Sequence, residues 1–288
     1  MLSQVLESLK NQSLHYSKWE LLIIDNNSEI GKLEDLSMSW QPNSKIIFEP
    51  KVGLTFARLK GFSDSKSDLV LMVDDDNILG ENYLEECISI FNEDPKIGAL
   101  GGKSIPLFMN TPPIWLSHFY LNLALRDFGN EISIENWSGL YPDKAPIGAG
   151  MAVRKVALQS YIQKNNSNKS KISDRSGTSL SSGGDNDIIL EILKSGWSVG
   201  YFPILSLQHI IPGNRMKKSY LARLNKDSTK SWIKVLDIHG INPWKKIPAW
   251  TVPLRKIKAT LLHKPWRNPV NYIKWKGVCG MYEALGEL

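Results

Sequence analysis

The sequence predicts an α/β protein in which a mainly parallel sheet is flanked by helices and followed by a basic helical C-terminal extension. Three observations support this fold class. Short apolar runs alternate with segments of helical periodicity through the first half of the chain. The apolar run 69–73 is followed at once by Asp74, Asp75 and Asp76. Positive charge is concentrated in the C-terminal quarter of the chain.

The order of the elements favours parallel pairing. The chain opens in an amphipathic helix, because Leu2, Val5, Leu6 and Leu9 recur at helical spacing. Strands joined through helices imply right-handed crossovers and a parallel sheet. Strands are predicted at 19–24, 45–48, 69–73, 97–100, 146–153, 199–202 and 204–207, and further helices at 53–63, 81–91 and 187–194.

Two stretches interrupt this alternation. Residues 103–145 lose the periodicity and are rich in proline and aromatic residues, so we expect an insertion that helps to shape a binding pocket. Residues 164–182 are rich in Asn, Ser and Lys and predict a loop. Between them, Gly148 and Gly150 break a strand-like run where backbone could approach a ligand closely.

Composition restricts the compartment and the partners. Cys87 and Cys279 lie far apart and form no metal or redox motif, which favours a reducing, cytoplasmic environment. No apolar run approaches the length of a membrane span. From Lys217 onward there are 15 Lys or Arg and 4 Asp or Glu, a net charge of +11, which leaves −5 for the rest of a chain whose total is +6.

The three consecutive aspartates favour a divalent cation. Adjacent carboxylates repel one another, and Mg²⁺ or Mn²⁺ prefers oxygen ligands. Alternate residues of an extended segment point the same way, so Asp74 and Asp76 can share one site. The alternative is a solvated acidic turn that caps the next helix. An EF-hand loop is excluded because Ile78 and Leu79 stand where it needs a ligand and a glycine.

Four further polar positions follow predicted strands or begin helices. Asp25 ends a strand, Arg58 lies in the helix 53–63, the segment GGDND at 183–187 opens a helix, and His209 ends a late strand. In this order, together with LMVDDDN and PIGAGMAVRK, these segments resemble the inverting glycosyltransferases of family 2, which have the Rossmann-like GT-A fold. The resemblance covers residues 1–215 as one domain and leaves 216–288 as a basic, Trp-rich helical region.

The resemblance implies a donor site. Asp25 would contact the nucleotide base or ribose, and Arg58, Asp75 and Arg215 would line the same site. Asp74 and Asp76 would form the DXD motif that holds Mn²⁺ or Mg²⁺ on the donor diphosphate, with Asp76 as the more direct ligand. Each has a plainer alternative: a strand-end turn for Asp25, an ion pair for Arg58 and a solvated surface side chain for Arg215.

The resemblance also implies the reacting groups. Asp185 occupies the position of the catalytic base, with Gly184 where many members have Glu, and Asp187 is an alternative base two residues later. Helix capping is the plainer role for Asp185. His209 resembles a histidine near the metal and diphosphate, although a lone histidine is more often structural.

The implied reaction is metal-assisted transfer of a sugar from a UDP- or GDP-sugar to a hydroxyl of a glycan or lipid-linked acceptor, in cell-surface polysaccharide or glycolipid synthesis. A nucleotidyltransferase is an alternative, but no glycine- and lysine-rich triphosphate loop is visible. Family members begin with a central strand that this sequence lacks, so the sheet is expected to be incomplete. An inactive, truncated relative that binds a glycan or a protein is therefore the second alternative.

The basic C-terminal region carries five tryptophans among its lysines. This combination favours peripheral contact with an anionic membrane, at its inner face for a cytoplasmic protein. The alternative is a helical appendage packed on the catalytic domain with its lysines solvated. Nucleic-acid binding is not expected, because no recognised motif accompanies the charge.

Overall fold

The structure is a computed structural model that describes residues 1–28, 36, 38–167, 180 and 182–288. The helices within these residues are α1 (Leu2–Lys10), α2 (Leu54–Asp64), α3 (Tyr83–Glu93), α4 (Gln159–Asn166), α5 (Gly184–Lys194), α6 (Lys218–Ile238), α7 (Val252–His263) and α8 (Pro269–Glu287). The strands are β1 (Leu21–Asp25), β2 (Ser44–Phe48), β3 (Leu69–Leu71), β4 (Asn77–Leu79), β5 (Ile97–Phe108), β6 (Ser133–Glu135), β7 (Ala152–Arg154) and β8 (Ser198–Ile211).

The strands form a six-stranded sheet and a separate parallel pair. The larger sheet has the order β3-β7-β5-β8-β4, with β6 also paired to β8, and the pair is β1-β2. Helices flank the sheet, as predicted. The strands are less parallel than predicted, because β4, β6 and β7 run opposite to β3, β5 and β8. Strand β4 begins only a short turn after β3, and so short a connection cannot hold the crossover that a parallel strand needs.

The two longest strands extend beyond their predicted ends. The strand predicted at 97–100 does not end there, because β5 continues through Gly101 and Gly102 to Phe108. The pairing of β5 with β8 shifts register between Gly101 and Lys103, and a Cβ added at Gly102 would lie 1.9 Å from the Leu205 carbonyl oxygen. These glycines therefore mark a bulge inside a long strand.

A break in the sheet lies between β1 and β3. Among the described residues, β1 pairs with β2 alone and β3 pairs with β7 alone. A cavity of about 1390 Å³ lies between them and is lined by the whole of both strands. Both strands are half-buried although their sequences predict burial on both faces.

The helix that carries residues 184–194 is held firmly by the core. Ile188, Ile189, Ile192 and Leu193 of α5 are fully buried in a cluster against the sheet. The predicted loop at 164–182 begins later than expected, because α4 extends to Asn166. Residues 168–179 and 181 of that stretch lie outside the described residues.

The C-terminal region forms three helices, as its predicted helical character requires. Helices α6, α7 and α8 have 21, 12 and 19 residues. Pro253 and Pro269 lie in the first turns of α7 and α8, where the missing N–H breaks no helical hydrogen bond. A shared cluster joins α6 and α8 to the segment Ile114–Leu123. Among the described helices, none combines the length and apolar character needed to cross a membrane.

Candidate functional site

An acidic turn formed by residues 74–76 lies at one end of the cavity. The apolar run before it places β3 in the sheet, and the backbone then turns, with the Asn77 N–H donating to the Asp74 carbonyl. The Ile210 N–H of β8 donates to the Asp76 carbonyl at 2.9 Å. Because β8 holds the turn in this way, all three aspartates line the cavity.

The Asp76 carboxylate is buried and lies beside two other predicted site residues. Its Oδ2 atom is 2.7 Å from Nη1 of Arg215 and 3.4 Å from Nε2 of His209. Burial raises the pKa of Asp76, but hydrogen bonding and charge from His209 and Arg215 outweigh burial, and the pKa lies below its usual value. Asp76 is therefore an anion at neutral pH.

Asp76 and His209 offer ligand atoms of the types that a divalent cation accepts. The Nδ1 atom of His209 is buried and has no hydrogen-bond partner among the described residues, which leaves one ring nitrogen uncommitted. Nε2 of the same ring faces the Asp76 carboxylate. Asp74 lies on the same turn, but among the described residues the ligand atoms of Asp74, Asp76 and His209 do not all lie within 4.8 Å of one another, so a cation shared by the three would require side-chain movement. Arg215 supplies positive charge at the same carboxylate.

The second carboxylate of the site is Asp185, in the first turn of α5. Its Oδ1 atom is 2.5 Å from Nη1 of Arg58, and its Oδ2 atom accepts the Gly148 N–H at 2.8 Å. A Cβ added at Gly148 would lie 2.5 Å from Nη2 of Arg58 and 2.6 Å from both carboxylate oxygens. The backbone at Gly148 thus lies against protein side chains, whereas the close approach to a ligand stays a prediction, and α2, α5 and the 148 segment together fix the Asp185 carboxylate.

Asp187 lies in different surroundings. Its carboxylate is 2.7 Å from both Lys164 Nζ and His239 Nε2, and Lys164 also contacts Glu191 at 2.8 Å. These four residues form a buried ion-pair network between α4, α5 and α6. Two residues along a helix correspond to about 200° of rotation, so Asp187 points away from the cavity that Asp185 lines. Of the two predicted bases, Asp185 is the one that faces the cavity.

The buried network also resembles a metal site in composition. Ligand atoms of Asp187, Glu191 and His239 lie within 4.8 Å of one another. The Lys164 ammonium lies among them, however, within 3.5 Å of all three side chains. Burial lowers the pKa of Lys164, but its hydrogen bonds to Asp187 and Glu191 outweigh burial, and the pKa is raised. The charged lysine thus supplies the positive charge that these acids need.

The remaining predicted residues also face the cavity. Asp25 ends β1 and accepts the Ser28 N–H at 2.9 Å, which orients its carboxylate at the mouth of the parallel pair. The structure therefore brings eight of the nine predicted site residues to one cavity. They are Asp25, Arg58, Asp74, Asp75, Asp76, Asp185, His209 and Arg215.

The insertion at 103–145 contributes to the cavity wall, as predicted, through residues whose individual positions the sequence did not indicate. Arg126 and Tyr141 line the cavity together with Asn186 and Trp232. The Tyr141 hydroxyl donates to Asn186 Oδ1 at 2.8 Å, and its ring lies edge-on to Trp232 with centroids 4.9 Å apart. Arg126 reaches the site because its backbone pairs with that of Ser104 in β5 through an isolated antiparallel β-bridge. No local motif marks these positions; the aromatic content of the insertion was the available signal.

Comparisons with known proteins identify the fold and the family. The sequence model of the family described as "Glycosyl transferase family 2" matches residues 1–157, more than half of the 288-residue chain. A search of curated proteins found no significant match.

Solved structures resemble this one over nearly its whole length. S. aureus TarS 1–349 in complex with UDP is 14% identical, with a TM-score of 0.54, and 99% of this chain and 86% of that chain are covered. The mannosyltransferase PcManGT from Pyrobaculum calidifontis, in complex with GDP-Man and Mn²⁺, is 12% identical, with a TM-score of 0.61 and coverage of 99% and 83%. GalNAc-T7 with UDP, GalNAc and Mn²⁺ is 14% identical, with a TM-score of 0.55 and coverage of 98% and 52%. The shared architecture is the GT-A fold, and the family match shows that the chain is a glycosyltransferase of family 2.

Proposed function

We propose that the protein transfers a sugar from a nucleotide-sugar donor to a hydroxyl acceptor, with metal assistance and inversion at the anomeric carbon. The observation that carries the proposal is the convergence of two carboxylate sites on one cavity. Asp76 lies beside His209 and Arg215 at one site, and Asp185 is fixed by Arg58 and Gly148 at the other. One site suits a diphosphate with its metal, and the other suits a hydroxyl group.

The donor would bind across the break in the sheet. Asp74, Asp76 and His209 would hold Mn²⁺ or Mg²⁺, which stabilises the negative charge that develops on the leaving diphosphate. Arg215 would add a second positive charge at that position. Asp25 would contact the base or ribose, with Asp75 and Arg58 along the same wall. Both UDP- and GDP-sugars remain donors in this proposal, since the similar structures named above contain UDP in two cases and GDP-Man in one.

Asp185 would act as the general base. An acceptor hydroxyl is a poor nucleophile until a group within hydrogen-bond reach takes its proton. The hydroxyl oxygen would form a bond to the anomeric carbon as the bond from that carbon to the diphosphate oxygen breaks. The proton would pass to Asp185, and the nucleoside diphosphate would leave. Attack from the face opposite the leaving group inverts the anomeric centre in one step.

The acceptor would be a glycan or a lipid-linked hydroxyl, in the synthesis of cell-surface polysaccharide or glycolipid. We propose a cytoplasmic protein with residues 1–215 as the catalytic domain and the basic region 216–288 in peripheral contact with the membrane. The net charge of +11 from Lys217 onward supports this contact. The two regions pack together, since Leu224 and Trp232 of α6 line the cavity of the catalytic domain.

Calorimetric titration of the purified chain with UDP and GDP, each with and without Mn²⁺, tests the donor site. We expect metal-dependent binding of one nucleotide that is lost in Asp76→Ala. Asp127→Ala is the matched control, because the Asp127 side chain is 62% exposed and does not line the cavity. If neither nucleotide binds, the inactive binding protein is the better description. The family match already favours sugar transfer over nucleotidyl transfer.

A further inference from the structure

Helix α7 presents an apolar surface to solvent. It packs on α8 through the buried Ala259, while Leu254, Ile257 and Leu261 are each about 60% exposed or more. At about 100° per residue these three side chains lie together on the side opposite Ala259. This arrangement reverses the pattern of an ordinary surface helix, whose apolar side faces the core. We call Leu254, Ile257 and Leu261 the α7 ridge.

Aromatic side chains extend the α7 ridge at both ends of the helix. Trp250, just before α7, is 74% exposed, and Trp266, just after it, is 66% exposed. Leu262 adds a further exposed apolar side chain at 69%. Large apolar side chains grouped in this way on a surface mark an interaction site, whereas scattered ones do not.

The surroundings of the α7 ridge are mainly positive, although Lys256 on the side of α7 that faces α8 pairs with Glu283. No Asp or Glu occurs from residue 238 to residue 282, while this stretch contains nine Lys or Arg. Six of these basic side chains are exposed on or near α7: Lys245, Lys246, Arg255, Lys258, Lys264 and Arg267. A partner for this surface therefore needs an apolar interior beneath an anionic layer.

We propose that the α7 ridge inserts into an anionic lipid surface, with Trp250 and Trp266 at the headgroup level and the basic side chains on lipid phosphates. This arrangement of an apolar side, a basic rim and interfacial tryptophans is that of helices that lie in the membrane plane. The inference rests on the proposed membrane contact and assigns it to named residues. Helix α7 would lie flat, because α8 already covers its other side.

Flotation of the full-length protein with vesicles tests the inference. We expect binding to vesicles of phosphatidylcholine with phosphatidylglycerol, weaker binding to phosphatidylcholine alone, and a decrease with added salt. The variant Leu254→Gln/Ile257→Gln/Leu261→Gln should bind at least about tenfold more weakly. Lys258→Gln should weaken binding about fivefold. Ile114→Gln/Leu140→Gln/Ile204→Gln is the matched control, since those side chains are also highly exposed but lie in other parts of the chain.

Three outcomes would overturn the inference. The first is the absence of binding to anionic vesicles, and the second is equal binding by the α7 variant and the control. The third is self-association of the wild-type protein that only the α7 variant loses, because this would assign the surface to a second copy of the chain. Nucleotide titration of the same preparations separates this inference from the proposed function. Retained nucleotide binding without vesicle binding contradicts only the membrane site, and the reverse contradicts only the donor site.

Discussion

Asp185 and Asp187 belong to the same turn of α5 and have the same side chain, yet their surroundings differ completely. The Asp185 side chain is 28% exposed, lines the cavity and pairs with Arg58. The Asp187 side chain is 2% exposed and pairs with Lys164 and His239 behind the helix. A carboxylate with one cation and access to the cavity can exchange a proton with a ligand. A carboxylate enclosed by two partners instead stabilises the fold.

The largest effect is expected from removing the charge of Asp185, the aspartate that faces the cavity. Asp185→Asn should lower the rate of sugar transfer by about 10²- to 10⁴-fold, because the amide cannot take a proton from the acceptor. The free energy of unfolding should also fall, because the buried Arg58 guanidinium loses its charged partner, although the amide can still accept the Gly148 N–H. Transfer is measured as nucleoside diphosphate released, and unfolding by urea titration. Near-normal transfer by this variant would remove Asp185 from the role of base.

The matched change two residues later should lower stability without affecting the cavity. Asp187→Asn leaves Lys164 and His239 with less negative charge in a buried position, at an expected cost of about 3 kcal/mol in the free energy of unfolding. The nucleotide affinity of the fraction that remains folded should be unchanged, because Asp187 does not line the cavity. Urea titration and calorimetry on the same sample measure the two quantities. A stable Asp187→Asn variant that fails to bind nucleotide would contradict the division between the two aspartates.

A smaller effect is expected from a change that touches neither aspartate. Gly148→Ala would place a methyl group 2.5 to 2.6 Å from the side-chain ends of Arg58 and Asp185, which must then move. Displacement of a catalytic group by about 1 Å can cost about 10²-fold in rate, so we expect a loss of that order or less. Gly61→Ala adds the same methyl group at an ordinary contact of 3.5 Å from Ile24 and serves as the control. Equal transfer rates for the two variants would show that the pair does not need this geometry.

The smallest effect concerns pH. The folded-state pKa of Asp76 is lowered, so its stabilising contribution is present above the unfolded pKa and is lost as pH falls through the folded pKa. The folded-state pKa of Lys164 is raised, so its contribution is present below the unfolded pKa and is lost as pH rises through the folded value. The difference in unfolding free energy between wild type and Asp76→Asn should shrink below about pH 4. The difference in unfolding free energy between wild type and Lys164→Met should shrink only in strong alkali. Parallel pH profiles for the two variants would contradict this assignment.

The candidate site was predictable where a functional residue adjoins a strong local pattern. An apolar run that ends in three aspartates fixes both a strand and the polar residues after it, and GGDND fixes the start of α5. Arg126 could not be predicted, because it reaches the cavity through a single bridge to Ser104. The pairing of Asp187 with His239 was equally hidden, since 52 residues separate them.

The sequence by itself determined the alternation of strands and helices, the acidic turn at the end of β3, the concentration of positive charge after residue 216 and the family. These features depend on residues close together in the sequence and on their hydrophobic periodicity, and both can be read without the tertiary structure. The tertiary structure decided the direction of the short strands, the break between β1 and β3, which aspartate of α5 faces the cavity and which face of α7 remains exposed. Those outcomes depend on contacts between residues far apart in the chain, which the periodicity of one segment does not encode.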